Sequence, residues 1–408
     1  DKENSRPPAV CPTAKDRPIP VRSPVVRRPL PRQPPRECVA TKLINNPGQR
    51  KYYQESVAGC SYYGESARCG YSMVDITRAE VAARPGEDAP AIEEVARLRA
   101  EFGRWLVYTP VLRCVNLERR LAFGTEIWGK LEFLQRTGTF KPRGALSNIL
   151  RLDSDGLRAG ITAVSAGNHA IAASFAAQAL GSTARVVMMR SASPVRIDAC
   201  RQFGADVVLA DDVHQAFERV QEISETEGRV NIHPFEGPNV TAGTATLGME
   251  ICEQVPGFDV IIVPIGGGGL CSGIASAAKQ LNPNCTVIGV EPEGADSMSR
   301  SFESGKAEKL AHVSTIADSL GAPFALPYSY GICARYVDEV IRVSDDQLRE
   351  AMGILYREMK MAVEPACAAS TAALAVIRDR LAGSKVVLVF CGSNIDWTTF
   401  EQHAWLDA

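Results

Sequence analysis

The chain has 408 residues, 45% hydrophobic and 23% charged, enough to bury a sizeable core in two or three domains. Its formal net charge of −2 supplies no basic field, so neither nucleic acid nor an anionic membrane is expected as a partner, and a small ligand is. The 12 cysteines form no CxxC pair and the five histidines no HExxH or Cys/His cluster; this removes the sequence case for zinc and favours reduced thiols in a cytoplasmic setting.

Up to about Cys38 the chain is rich in Pro and Arg, as in RSPVVRRPLPRQPPRE, with no helical or strand periodicity. A solvated leader is expected. Its PxxP spacing, Pro31 to Pro34, suits a polyproline-binding protein partner, and its acid-poor character is also that of a targeting peptide. From Val39 to Pro90 come Tyr52, Tyr53, Tyr62, Tyr63 and Tyr71 among Gly and Ser, with few aliphatic residues to build a core. Residues 1–90 are therefore expected to form a disordered or loosely packed N-terminal extension.

After Ala91 helical stretches alternate with short β-branched runs: ITAV before Ser165, ARVVMM from Ala184, ADVVLA from Ala205, VIIV from Val260, TVIGV from Thr286 and VVLVF from Val386. Strand-helix alternation predicts an α/β fold with parallel sheets and ligands at the carboxyl ends of the strands. The uncharged run between Asp259 and Lys279 is as long as a membrane span, but a Pro and four glycines interrupt it, so it reads as strand, turn and buried helix.

Four turns carry chemistry. LQRTGTFKPRGA (Leu134 to Ala145) sets Lys141 between an aromatic residue and a Pro, just ahead of a predicted helix; a solvated surface lysine is the ordinary alternative. ITAVSAGNHA (Ile161 to Ala170) is a strand, a polar turn and a helix start whose unpaired N–H groups suit a carboxylate, or else a turn capped by Ser165 or Asn168. VIIVPIGGGGL offers four glycines, Gly266 to Gly269, whose N–H groups can converge on a phosphate ahead of a helix opening near Leu270. It lacks the GK[ST] ending of a Walker motif. KVVLVFCGSNID brings Cys391 to the end of a buried strand, as an apolar filler or as a neutral partner for a cofactor edge.

TFKPRGA, SAGNHA, PIGGGGL and CGSN, in this order, resemble the fold-type II pyridoxal-phosphate enzymes, specifically the serine/threonine dehydratase and serine racemase family. HPFEGPNVTAGTATLGMEI (His233 to Ile251), GVEPEGADSM (Gly289 to Met298), TIADSLG (Thr315 to Gly321) and AVEPACAAS (Ala362 to Ser370) are similar to that family's pattern too, and the resemblance spans Leu98 to Trp397. It implies a tryptophan synthase β-like fold of two parallel-sheet domains, with a large domain from 91–158 and 238–408, a small domain from 159–237, pyridoxal 5'-phosphate in the cleft and a homodimer. Lys141 is then the Schiff-base lysine, with Phe140 near the ring, Asn168 on the ring hydroxyl, Gly266, Gly267, Gly268 and Gly269 on the phosphate, and Cys391 facing the pyridine nitrogen. Ser165, Gly167 and His169 receive the substrate carboxylate. Glu364 falls on a family glutamate near the cofactor, although a helix-capping or surface acid is an equal reading.

A thiol beside the pyridine nitrogen leaves it mostly neutral and favours a short-lived carbanion. That fits β-elimination from L-threonine or L-serine, giving a 2-oxo acid and ammonia, with the cofactor phosphate as proton donor by resemblance. Hydroxyaspartate dehydratase, racemase and a cysteine synthase-like β-replacement enzyme are the alternatives. Racemisation needs a second acid/base where this chain has Ala166, whose methyl group transfers no proton. AGTAT (Ala242 to Thr246) replaces the family's AGQGT turn and is expected to bear on substrate choice. Of the family's divalent-metal site only Glu291 and the carbonyl of Ala295 are matched, Ser297 standing in for a carboxylate, so no metal is expected.

Overall fold

The computed structural model describes residues 89–121, 124–165 and 167–405. The Pro/Arg-rich leader, the Tyr-rich segment up to residue 88 and Ala166, on which the racemase argument turned, lie outside the described residues.

Among the described residues ten strands form two sheets. They are β1 (Val111–Arg113), β2 (Glu126–Leu131), β3 (Ile161–Val164), β4 (Ala184–Met189), β5 (Asp206–Ala210), β6 (Val230–Asn231), β7 (Val260–Pro264), β8 (Thr286–Pro292), β9 (Glu339–Val343) and β10 (Lys385–Phe390). The first sheet runs β1-β2-β10-β7-β8-β9 and the second β5-β4-β3-β6. Every pairing is parallel except β1 on β2. The centre of the first sheet reads as it must for strands covered on both faces: VIIVP of β7 is buried throughout, as is VVLVF within β10. A second apolar core forms around β3, β4 and the helix Asn168–Ala179, whose alanines let it lie close on the sheet.

Residues 260–278, long enough on length alone for a membrane span, are β7, the glycine turn and most of the helix Gly269–Leu281. Among the described residues no helix is long and apolar enough to cross a membrane.

AGTAT is not a turn. It lies inside the helix Pro238–Gln254, where small residues allow close approach: a Cβ on Gly243 would sit 2.3 Å from the Arg143 carbonyl oxygen, and one on Gly273 of the facing helix 2.1 Å from Thr244 Oγ1. Residues 242–246 pack one helix on another, and none of them lines the cavity described below. Any bearing of these residues on substrate choice therefore runs through helix packing and not through the cavity wall.

Beneath the helix Pro142–Ile149 lies a fully buried ionic cluster. All five N–H donors of Arg143 are used: two on Glu132 at 2.8 and 2.9 Å, two on Glu250 at 2.8 and 2.9 Å, and one on Thr246 Oγ1 at 3.0 Å. Lys130 reaches the same Glu250 at 2.7 Å, and Thr109 donates to Glu132. The cluster anchors the first turn of the helix that follows Lys141.

Candidate active site

The turns after β3, β7 and β10 and the turn carrying Lys141 open onto one cavity of about 380 Å³, a size suited to a small organic ligand. Phe140, Lys141, Ser165, Gly167, Asn168, His169, Gly266 to Gly269 and Cys391 all line it.

Lys141 stands just before the Pro at the start of the helix Pro142–Ile149, a position where the missing N–H of Pro costs nothing. Its Nζ donates to the Pro234 carbonyl at 2.8 Å and lies 5.2 Å from the centre of the Phe140 ring. The side chain is half-buried with its amine on the cavity, and loss of hydration lowers its pKa to about 8.

At the carboxylate-type turn, Ser165 Oγ accepts the Gly167 N–H at 3.1 Å, and the helix Asn168–Ala179 begins at once, leaving its first N–H groups unpaired along the helix. His169 is buried and its Nε2 bonds the Ile232 carbonyl at 2.9 Å. Burial and the nearby Lys141 bring its pKa to about 3. Its ring is therefore neutral and structural; only its backbone N–H is offered to the turn.

Asn168 is held from two sides. Its Nδ2 donates to Glu364 at 2.9 Å and to Ser319 Oγ at 3.0 Å, while its Oδ1 accepts from Asn394 Nδ2 at 2.8 Å. Glu364 resolves its own ambiguity: it occupies the N-cap of the helix Pro365–Ile377 but caps nothing with its side chain, which is 1% exposed and turned into the cavity. Burial raises its pKa, and Arg196, 3.8 Å away, opposes that rise.

Sequence reasoning missed Arg196, Asp318 and Asn394. Arg196 Nε donates to the Asn394 carbonyl at 2.9 Å and its guanidinium pairs with Asp318, so three distant segments meet beside the Ser165 turn. Glu291, matched to a family metal ligand, spends both carboxylate oxygens elsewhere. They accept the Met298 and Ser299 N–H groups and the Ser299 hydroxyl, each at 2.8 Å, at the start of the helix Ser297–Ser304.

The tetraglycine turn meets the helix Gly269–Leu281 with Gly268 at φ +93°, a conformation that favours glycine. A Cβ on Gly267 would lie 2.2 Å from the Phe235 ring, and one on Gly269 2.5 Å from the Phe235 carbonyl oxygen. Only bare backbone fits, leaving N–H groups and a helix N-terminus as the lining. Cys391 is buried, and a hydrogen bond with Cys367 together with burial pushes its thiol far up, so it stays S–H.

Residues 105–392 match the family described as pyridoxal-phosphate dependent enzyme. The chain belongs to that family. It is 50% identical over 318 residues to phenylserine dehydratase of Ralstonia pickettii, covering 78% of this chain and 97% of that protein. It is 39% identical over 292 residues to L-threonine ammonia-lyase of Thermotoga maritima, covering 71% of each. Among solved structures, maize serine racemase superposes with a TM-score of 0.73 at 33% identity, over 77% of this chain and 97% of that one. The fold is fold-type II, the cofactor is pyridoxal phosphate and the enzyme is a lyase.

The cavity suits that cofactor: a glycine cradle for a phosphate, a partly neutral amine for its aldehyde and an un-ionised thiol for a neutral ring nitrogen. Covalent capture needs the free amine. Mixing apoprotein with pyridoxal phosphate is thus expected to show a capture rate that rises about tenfold per pH unit below 8 and levels off above it, followed by absorbance. A rate still climbing tenfold per unit beyond pH 9 would mean that Lys141 is hydrated as in water.

Proposed function

We propose that this lyase is a dehydratase (ammonia-lyase) of β-hydroxy-α-amino acids, releasing a 2-oxo acid and ammonia. The observation that carries the proposal is the convergence, in one cavity, of the desolvated Lys141, the carboxylate-type turn Ser165 to His169, the tetraglycine cradle and the neutral Cys391. Lys141 would hold the cofactor through its amine and, with that amine free, remove the Cα proton. Gly266, Gly267, Gly268 and Gly269 would hold the phosphate through N–H groups. Ser165 and the backbone of Gly167 and His169 orient the substrate carboxylate. Asn168, fixed by Glu364 and Asn394, and Phe140 would hold the cofactor ring. Pyridoxal phosphate, when bound, supplies an electron sink that stabilises negative charge at Cα. Cys391, being un-ionised, favours rapid loss of a β-substituent over a long-lived carbanion.

L-Threonine and L-serine satisfy this chemistry, and the remaining wall of the cavity supports a larger substrate. Phe217, Phe235, Pro323, Phe324 and Met189 line it, Phe235 and Phe324 tilted with ring centres 6.1 Å apart. An aryl group at Cβ buries more apolar surface there than a methyl group, in keeping with the similarity to a phenylserine dehydratase. The same wall disfavours hydroxyaspartate, since the nearby Arg196 is already paired with Asp318.

The test is 2-oxo acid formation by cofactor-loaded protein from L-threonine, L-serine and L-threo-3-phenylserine. The expectation is a kcat/KM for phenylserine at least about tenfold above that for threonine; no 2-oxo acid from any of them would end the dehydratase reading. Phe235→Asn, which replaces apolar wall with amide, is expected to lower the phenylserine-to-threonine ratio of kcat/KM about tenfold. An unchanged ratio would remove Phe235 from the specificity wall.

A further inference from the structure

His233 follows β6 and lines the cavity, yet no role above uses it. Its Nδ1 accepts two backbone N–H groups, from Glu236 at 2.9 Å and from Phe235 at 3.3 Å. A neutral imidazole carries one proton, so with Nδ1 committed as acceptor that proton sits on Nε2. Among the described residues Nε2 has no hydrogen-bond partner. His169, by contrast, spends its Nε2 on the Ile232 carbonyl. The His233 ring stands edge-on to Phe235 with centroids 4.5 Å apart, which fixes its plane. Pro234, the next residue, gives its carbonyl to Lys141 Nζ at 2.8 Å, so the residue carrying the unpaired N–H donor adjoins both the Lys141 contact and the Phe235 ring. Burial and the charge of Lys141 lower the His233 pKa to about 4, keeping the ring neutral at physiological pH.

We propose that the Nε2–H of His233 donates a hydrogen bond to the β-hydroxyl of the substrate and stabilises the negative charge that develops on that oxygen as the Cβ–O bond breaks. The proposal rests on the dehydratase reading. Lys141 takes the proton from Cα, and the Cα–H electron pair becomes the second Cα–Cβ bond. The Cβ–O pair leaves on oxygen, which receives the proton that the Lys141 amine took from Cα and departs as water, so the amine is returned to its starting form. His233 keeps its own proton, because an imidazolate beside a leaving hydroxide gains nothing. It acts as a fixed dipole, the arrangement that is most effective in a site shielded from water.

Two substitutions separate this role from a structural one. His233→Asn keeps an acceptor near the Nδ1 position for the turn and loses the far donor; His233→Gln keeps a donor near the Nε2 position and loses the near acceptor. L-Serine and β-chloro-L-alanine differ only in the leaving group, and chloride needs no hydrogen bond to depart. In cofactor-loaded protein, His233→Asn is expected to lower the serine-to-chloroalanine ratio of kcat at least about tenfold, and His233→Gln to hold it within about threefold. An unchanged ratio in His233→Asn, or an equal fall in both variants, overturns the proposal. A further readout needs no turnover: with five histidines in the chain, imidazole ¹⁵N NMR of the unmutated protein, assigned by loss of a signal in either variant, is expected to give His233 as the neutral Nε2–H tautomer from pH 6 to 9. An imidazolium or an Nδ1–H tautomer at pH 7.5 overturns it equally. Unmutated protein that eliminates chloride from β-chloroalanine but water from no hydroxy amino acid would sink the dehydratase reading itself, and this inference with it.

Discussion

Lys141→Ala is expected to lower kcat/KM for dehydration at least roughly 10⁴-fold, because in the proposed mechanism one side chain both tethers the cofactor and moves the Cα proton. The same variant should not lose folding stability. Lys141 makes one hydrogen bond through its amine, to the Pro234 carbonyl, and its lowered pKa means that folding disfavours its charged form. The sign follows: an amine whose folded pKa lies below its unfolded value opposes folding where it must carry charge, most fully below pH 8, and the opposition fades as pH rises through 8 towards 10.5. The apo form of Lys141→Ala is therefore expected to melt at or above the Tm of unmutated apoprotein at pH 7, by calorimetry. Activity lost together with several degrees of Tm would assign Lys141 to the scaffold instead of the chemistry.

How much of this was legible in the sequence differs from segment to segment, for physical reasons. β7 and β10 announced themselves because strands covered on both faces need unbroken apolar runs, and the helix starts at Pro142 and Gly269 lie where Pro and the glycine run put them. β2 was missed. Its sequence, EIWGKL, carries two charges and a glycine, the marks of a loop. Inside the fold Lys130 is fully buried against Glu250, and a Cβ on Gly129 would lie 2.3 Å from the Phe390 ring of the neighbouring strand. β1 and β9, three and five residues long, offered too few positions for a period to show. AGTAT passed for a turn because Gly and Thr are weak helix formers, and contact between two helices outweighs that preference.

In the site, the residues that touch a turn of the motifs were readable from the motifs themselves. Arg196 was not, and Asp318 and Asn394 stood in quoted motifs without a role, since the three come from different segments and only the fold brings them together. Glu364 could be read as a cap or as a cavity acid until its side chain was seen to cap nothing. His233 stood within a quoted motif, but the feature that gives it a role is the two N–H groups on Nδ1, which depend on how the chain turns after β6.

Arg143→Leu is expected to destabilise the protein by about 3–5 kcal/mol, measured by urea unfolding at pH 7. The guanidinium is 1% exposed and uses every donor it has on Glu132, Glu250 and Thr246. Its removal leaves Glu132, itself fully buried, without its main counter-charge. The pH dependence identifies that cause. Burial pushes the Glu132 carboxyl up, but the charge and hydrogen bonds of Arg143 outweigh it and hold the group below its usual 4.5. A carboxylate with a lowered folded pKa contributes stability above pH 4.5 that is lost as pH falls through the folded value. In Arg143→Leu the sign reverses: with burial opposed only by the weaker influences of Lys130 and Thr109, protonating Glu132 favours the fold. The gap between variant and unmutated protein should therefore be widest at neutral pH and narrow steadily below pH 5. A gap independent of pH would mean that the loss comes from packing around the arginine stem. Because the cluster also holds the helix that begins one residue after Lys141, the variant that does fold should capture pyridoxal phosphate more slowly than the unmutated protein at the same pH, the amine being present but less well aimed.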